Sequence, residues 1–242
     1  MSDDDRPDAE GYDSRSDAGG RHEPGDVRFF DRLAGLYDLA MPPARPADLH
    51  AGLRFADRPV ERVLDAAGGT GRAARAVARS AGAVGHDRPS VTVLDVSEGM
   101  LARAAADGFS IVRGDLRAPP IQPGSVDAAV VADALHHVPD AEQALAAVAA
   151  TVAPGGVVVV REFDPETVRG RGLALAERLV GMDSTFLPPS TVQRVLRAAG
   201  LRTYEIQPGF GYTVVGVVPR SDGSRRSRDG EPAVTPATNP DD

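Results

Sequence analysis

The 242-residue chain contains no cysteine, no lysine and no tryptophan, and only 5% of its residues are aromatic. Without thiols it makes no disulfide, no thiolate-held zinc or iron–sulfur centre and no cysteine nucleophile. Without lysine it makes no Schiff base. All 27 basic residues are arginine, and the 35 acidic residues leave a net charge of −8. That balance works against wrapping a phosphate backbone, where affinity comes from cationic neutralisation, so no nucleic-acid partner is expected. The arginine and aspartate bias fits a GC-rich coding sequence and equally fits high internal salt, where carboxylates hold hydration. A basic, apolar leader is also missing, because Met1 runs into Asp3, Asp4 and Asp5, and a cytoplasmic location is expected. The long uncharged run Ala144 to Val160 is cut by Pro154, Gly155 and Gly156, so it reads as a helix, a turn and a strand, and no membrane span is expected.

Residues 1–25 and 220–242 are polar and poor in aliphatic side chains, a composition that cannot bury enough apolar area to offset the entropy of ordering. Both are expected to be disordered tails, leaving one domain over residues 26–219. Within it, short aliphatic runs alternate with Ala/Arg/Leu stretches of helical spacing, which predicts a doubly wound α/β fold with a mostly parallel, seven-stranded, Rossmann-like sheet. Strands are expected at Val60–Ala66, Val91–Asp95, Phe109–Gly114, Val126–Ala132 and Val157–Phe163. Helices are expected at Gly71–Ser80, Glu98–Ala106, Ala141–Val152 and Thr191–Ala199. The last two strands, Arg202–Gln207 and Tyr212–Val218, are separated by too few residues for a parallel crossover, so they form an antiparallel hairpin that ends the sheet.

Three acids stand at the ends of three successive strands. Asp65 precedes the turn Ala66-Ala67-Gly68-Gly69-Thr70-Gly71, Asp95 closes Val91–Leu94, and Asp115 follows Gly114. In an open parallel sheet the carboxyl ends of the strands form the ligand crevice. Gly69, Gly71 and Ala74 also satisfy the G-x-G-x-x-A dinucleotide pattern, which keeps a nicotinamide-dependent oxidoreductase as an alternative. A carboxylate at Asp65 would repel a pyrophosphate and suits a cationic ligand, which S-adenosylmethionine is. Asp95 is positioned to accept from two ribose hydroxyls. A non-catalytic cofactor-binding module is the third reading. The five histidines are too dispersed to suggest a metal site.

In the order Phe30–Asp38, Asp65–Gly71, Leu94–Leu101, Gly114–Leu116, Ala134–Val138, Leu145–Val160 and Glu162–Pro165, these segments resemble the class I S-adenosylmethionine-dependent methyltransferases. Within that class they look most like the ubiquinone/menaquinone C-methyltransferase group and its small-molecule relatives. The resemblance implies S-adenosyl-L-methionine as cofactor and a small-molecule acceptor, such as a quinone or phenol-like precursor. An apolar acceptor of that kind would bring the protein to a membrane surface. The resemblance also implies cofactor contacts from Tyr37, Asp65, Gly69, Gly71, Asp95, Met100, Asp115 and Leu116. His136 and Asp133, after the fourth strand, would face the acceptor, with His136 the candidate base because its intrinsic pKa is near neutral. Two departures stand out: Ala67 replaces a usual glycine, and His136-His137 replaces the Arg-Asn of the quinone enzymes. The stretch from Asp164 to Pro189 is expected to contribute an apolar acceptor pocket.

Overall fold

The computed structural model describes residues 46–82, 88–179 and 184–220. Along the chain run α1 (Pro46–Leu53), β1 (Arg62–Ala66), α2 (Arg72–Gly82), β2 (Ser90–Asp95), α3 (Glu98–Ala106), β3 (Ser110–Arg113) and β4 (Val126–Ala132). A 3₁₀ turn (Leu135–His137), α4 (Ala141–Ala150), β5 (Val152–Phe163), α5 (Val168–Leu179), α6 (Pro189–Ala198), β6 (Arg202–Gln207) and β7 (Gly211–Val217) complete it. The tails and Tyr37, with the Phe30–Asp38 segment around it, lie outside the described residues, except for Arg220 at the start of the second tail.

The seven strands form one sheet of order β3-β2-β1-β4-β5-β7-β6, parallel from β3 to β5 and antiparallel at β5/β7 and β7/β6. The central strands are continuous aliphatic runs because helices cover both of their faces. Leu64, Leu94, Val158 and Val160 pack with Leu145 and Val148 of α4 and Val192 and Leu196 of α6. On the other face Val63, Val93, Val157 and Val159 pack with Leu49 of α1, Ala74 and Val77 of α2, and Leu101 of α3. Two helices are started by side chains that satisfy their first N–H groups: Ser97 accepts from Met100 N and Asp140 from Gln143 N. Gly200, at φ 86°, supplies the left-handed residue that ends α6.

The expected strands and helices occur at the expected places, with one instructive shift. Pro154-Gly155-Gly156 does not separate helix from strand. β5 begins at Val152, and its register on β4 jumps from Val126↔Val152 to Ala128↔Val157, so these residues loop out while remaining tied to the sheet. The ties are Gly155 N to Val218 O at 2.8 Å and Val218 N to Gly156 O at 2.9 Å. Among the described residues no helix is long and apolar enough to cross a membrane.

Candidate functional site

Period-two alternation sends Asp65 to the α2 side of the sheet, where its register partners are Val93 and Val130. Its carboxyl is buried and accepts one hydrogen bond, from Ala74 N at 2.8 Å in the first turn of α2, while Oδ1 has no hydrogen-bond partner. Burial is the main force pushing its pKa up to about 7, with nearby Asp95 adding to it; the Ala74 N–H and the Arg75 and Arg72 charges pull the other way.

The turn above it needs three left-handed residues, Ala67 (φ 55°), Gly69 (φ 55°) and Gly71 (φ 83°). Glycine takes that conformation without steric cost, and Ala67 takes it against its Cβ. Gly68 is constrained by space instead. A Cβ there would sit 2.5 Å from Asp65 Cγ and 2.8 Å from a Val93 methyl, so the carboxyl fills the position a side chain would need. A Cβ on Gly69 would approach only Asp95 Oδ2 and Met100 Sδ, each at 3.9 Å. Gly69, Asp95 and Met100 therefore border one space above the turn.

Asp95 stitches that space together. Its Oδ2 accepts from Gly69 N and its Oδ1 from Ser97 N, both at 2.9 Å. Met100 is buried, one turn into α3. Asp115 is held by Arg117, whose Nη2 and Nε lie 2.6 and 3.0 Å from Oδ2 and whose N–H donates to Oδ1 at 2.8 Å. Leu116 is buried in the core cluster on the α4 side. The structure thus brings Asp65, Gly69, Gly71, Asp95 and Met100 around one turn, with Asp115 and Leu116 following the neighbouring strand β3.

Beyond β4, Asp133 takes φ 53°, donates its N–H to Arg161 O at 2.9 Å and pairs its carboxylate with the Arg161 guanidinium. That guanidinium also lies over the Phe163 ring, 5.1 Å from its centre. Three residues on, His136 is buried with Nδ1 at 2.8 Å from Glu162 Oε2. Its ring stacks on Phe186 at 4.4 Å and 15°, and the Phe163 ring stands edge-on at 6.3 Å. Burial first, and the neighbouring His136 second, hold the His137 imidazole down at about 3, so His137 is neutral at physiological pH. Its Nδ1 meets Ser184 Oγ at 3.2 Å.

Sequence reasoning does not pick out Glu162 as a site residue, and it reaches Phe186 only as part of the apolar Asp164–Pro189 stretch. Glu162 was quoted only as part of a resemblance, although a lone acid following Val157–Arg161 in a buried strand is itself the signal of a paired charge. Phe186 is the member of the Asp164–Pro189 region that reaches His136. The same region's Val168 and Leu175, on α5, are largely exposed. Met182 lies outside the described residues.

Residues 63–156 match the methyltransferase domain family. Over 151 residues the chain is 34% identical to the ubiquinone/menaquinone biosynthesis C-methyltransferase of Methylobacterium nodulans, a match covering 60% of this chain and 58% of that one. Over 152 residues it is 34% identical to the demethylmenaquinone methyltransferase of Beutenbergia cavernae, covering 58% and 59%. The chain thus spans less than two thirds of the length of these curated relatives. Among solved structures, the Haloferax volcanii complex of a methyltransferase with the Trm112 methyltransferase activator is similar at a TM-score of 0.62 and 21% identity, covering 79% of this chain and 98% of that one. The [4+2]-cyclase SpnF is equally similar in shape, with a TM-score of 0.62 at 17% identity and coverage of 81% and 96%. At such identities these likenesses show the fold alone. The sheet order adds a discriminator, because a dinucleotide-binding sheet runs 3-2-1-4-5-6, whereas here β7 is inserted antiparallel between β5 and β6. Over residues 63–156 the chain therefore carries a methyltransferase domain, and it is distantly similar in sequence to the ubiquinone and menaquinone C-methyltransferases.

Proposed function

We propose that this protein transfers the methyl group of S-adenosylmethionine to a small-molecule acceptor of the quinone or phenol-like class, using a domain that spans residues 26–219. One observation supports the cofactor residues above all: a buried Asp65 carboxyl with an oxygen lacking any partner, packed against Gly68 of the turn. Such a group suits an ammonium and disfavours a pyrophosphate. Asp95 holds the ribose, Gly69 and Gly71 let the backbone approach the ligand, and Met100, Leu116 and Asp115 line the adenine end. S-adenosylmethionine supplies a methyl group on a positively charged sulfur, an excellent leaving group. The chain's own work is then to align nucleophile and methyl, to exclude water and to take a proton where the acceptor must lose one.

For that proton, His136 is the better base than Asp133. The Asp133 carboxylate is committed to the Arg161 guanidinium, whereas His136 is an imidazole whose Nδ1 is held by a carboxylate and whose second ring nitrogen can take a proton. Calorimetric titration with S-adenosylmethionine and with NADH tests the cofactor. Tight binding of the first alone is expected, and the reverse preference would overturn the reading. For His136→Asn, transfer of labelled methyl should fall about 10²- to 10⁴-fold with cofactor affinity nearly unchanged and the neutral-pH limb of the rate profile gone. Retained activity with that limb intact would remove the base assignment.

A further inference from the structure

Glu162 is an anomaly of β5. It follows four valines and Arg161, is 2% exposed, and faces the layer formed by α4 and α6, yet it carries a carboxylate. Four donors surround it: Oε1 accepts from Ala134 N at 2.9 Å and Leu135 N at 2.6 Å, and Oε2 from Phe163 N at 3.2 Å and His136 Nδ1 at 2.8 Å. Burial alone would push the proton onto this group, but the His136 charge and hydrogen bond and the two backbone N–H groups outweigh it, so its pKa lies below the ordinary value. An ionised carboxylate only accepts. Nδ1, facing that carboxylate, therefore carries a hydrogen whether the ring is charged or neutral, and in the neutral ring Nε2 is the nitrogen left with the lone pair. The ring is also held in place, stacked on Phe186, while Thr185 N donates to the His136 carbonyl at 2.8 Å.

We propose that Glu162 is the positioning residue for His136, fixing the tautomer in which Nε2 accepts the proton of the acceptor's O–H. This rests on the reading of His136 as the base. In the step, the acceptor O–H proton passes to Nε2, the oxygen or its conjugated carbon forms a bond to the methyl carbon, and the carbon–sulfur bond breaks with its electron pair left on sulfur; where carbon is methylated, that carbon then loses its hydrogen to water and the oxygen regains a proton. The imidazolium that results is stabilised by the Glu162 carboxylate, and it returns the proton to water when product leaves.

The tautomer is measurable without any acceptor. Imidazole ¹⁵N spectra of the full-length protein should show His136 protonated on Nδ1 at pH 8; protonation on Nε2 would overturn the proposal with no variant needed. Glu162→Gln keeps an oxygen for the Ala134 and Leu135 N–H groups but turns an NH₂ toward Nδ1, which should drive the hydrogen to Nε2. Its affinity for S-adenosylhomocysteine should stay within about threefold, while labelled-methyl transfer to methylhydroquinone falls about 10²- to 10⁴-fold and loses its neutral-pH limb. Added to His136→Asn, the same change should cost less than about threefold more, because it acts through His136. If His136→Asn abolishes transfer and Glu162→Gln does not, the role of Glu162 is wrong. If both variants retain transfer, the base reading beneath it fails. Methylation of primary amines but not of hydroquinones by the wild-type protein would overturn the acceptor class.

Discussion

Asp65→Asn tests the buried carboxyl that anchors the cofactor reading. In the cofactor-free fold this group titrates at about 7 against 3.8 for the exposed carboxyl. At about 1.4 kcal/mol per pH unit, ionised Asp65 costs the fold on the order of 4 kcal/mol. Between pH 4 and 7 the folded chain holds a proton that the unfolded chain has lost, so this contribution to stability is present below about pH 4, falls as pH rises, and is flat above about 7. A cation seated on the carboxylate offsets that cost, so binding at pH 6 should release close to one proton and binding at pH 8 none. Affinity for S-adenosylmethionine should rise close to tenfold per pH unit from 5 to about 7 and then level. Asparagine keeps the hydrogen bond to Ala74 N but does not titrate. The variant should bind weakly at every pH, resist urea better than wild type at pH 8, and show no proton release. Calorimetry in two buffers of different ionisation heat counts the protons. A wild-type release near zero at pH 6, or an asparagine variant that keeps the pH dependence, would refute the reasoning.

Other substitutions probe the neighbouring groups. Asp95→Ala should weaken S-adenosylmethionine binding by about 2 to 3 kcal/mol by calorimetry, because the ribose loses its charged acceptor and Gly69 N and Ser97 N lose theirs. Gly68→Ala should cost about 1 to 3 kcal/mol in urea unfolding, since its Cβ must displace the Asp65 carboxyl. Ala67→Gly, by contrast, should change stability by under about 1 kcal/mol, because relief of the left-handed strain is offset by a looser unfolded chain. Asp127, the buried second residue of β4, accepts from Glu61 N and Arg62 N and pairs with Arg58. Burial raises its pKa, but those partners outweigh it and hold it below the usual value. Its stabilising effect is therefore present above about pH 4 and lost as pH falls through the folded value. Asp127→Ala should cost about 3 kcal/mol at pH 7 and flatten the acid limb of a melting profile.

The order of strands and helices was legible because each buried strand is a short β-branched run ended by glycine or aspartate, a pattern that local chemistry alone enforces. Strand pairing was legible at the hairpin, where the loop Pro208–Phe210 is too short for a crossover. The insertion of β7 between β5 and β6 was not, since it depends on Val214 and Val215 finding Val160 and Val159 across the sheet. In the site, the strand-end acids could be read from position. Their partners could not: the Asp115 fork to Arg117 spans two residues, but Asp133–Arg161 and His136–Glu162 join residues 28 and 26 apart through the β4/β5 pairing. Gly68 carries no local signal, because no turn angle demands glycine there; only the packed carboxyl does.

Both long-range pairs follow from one geometric fact about β5. Its side chains alternate, so Val158 and Val160 pack on the α4 and α6 layer and Val157 and Val159 on the α1 and α2 layer, an alternation that Glu162 and Arg161 continue. Adjacent residues Arg161 and Glu162 therefore project charges of opposite sign to opposite sides of the same strand end. The chain leaving β4 must satisfy both, and it crosses the strand end to do so. Asp133 meets Arg161 on one side, and within three residues Ala134, Leu135 and His136 donate to Glu162 on the other. A crossing that short needs a sharp reversal of the backbone, which is where the left-handed φ of Asp133 falls. Aspartate tolerates that conformation better than most residues. The same side chain thus makes the turn and closes the ion pair that holds it, and His136 is delivered to Glu162 as a consequence. A residue inserted between Asp133 and His136 should break the second pairing while sparing the first, separating ring position from fold.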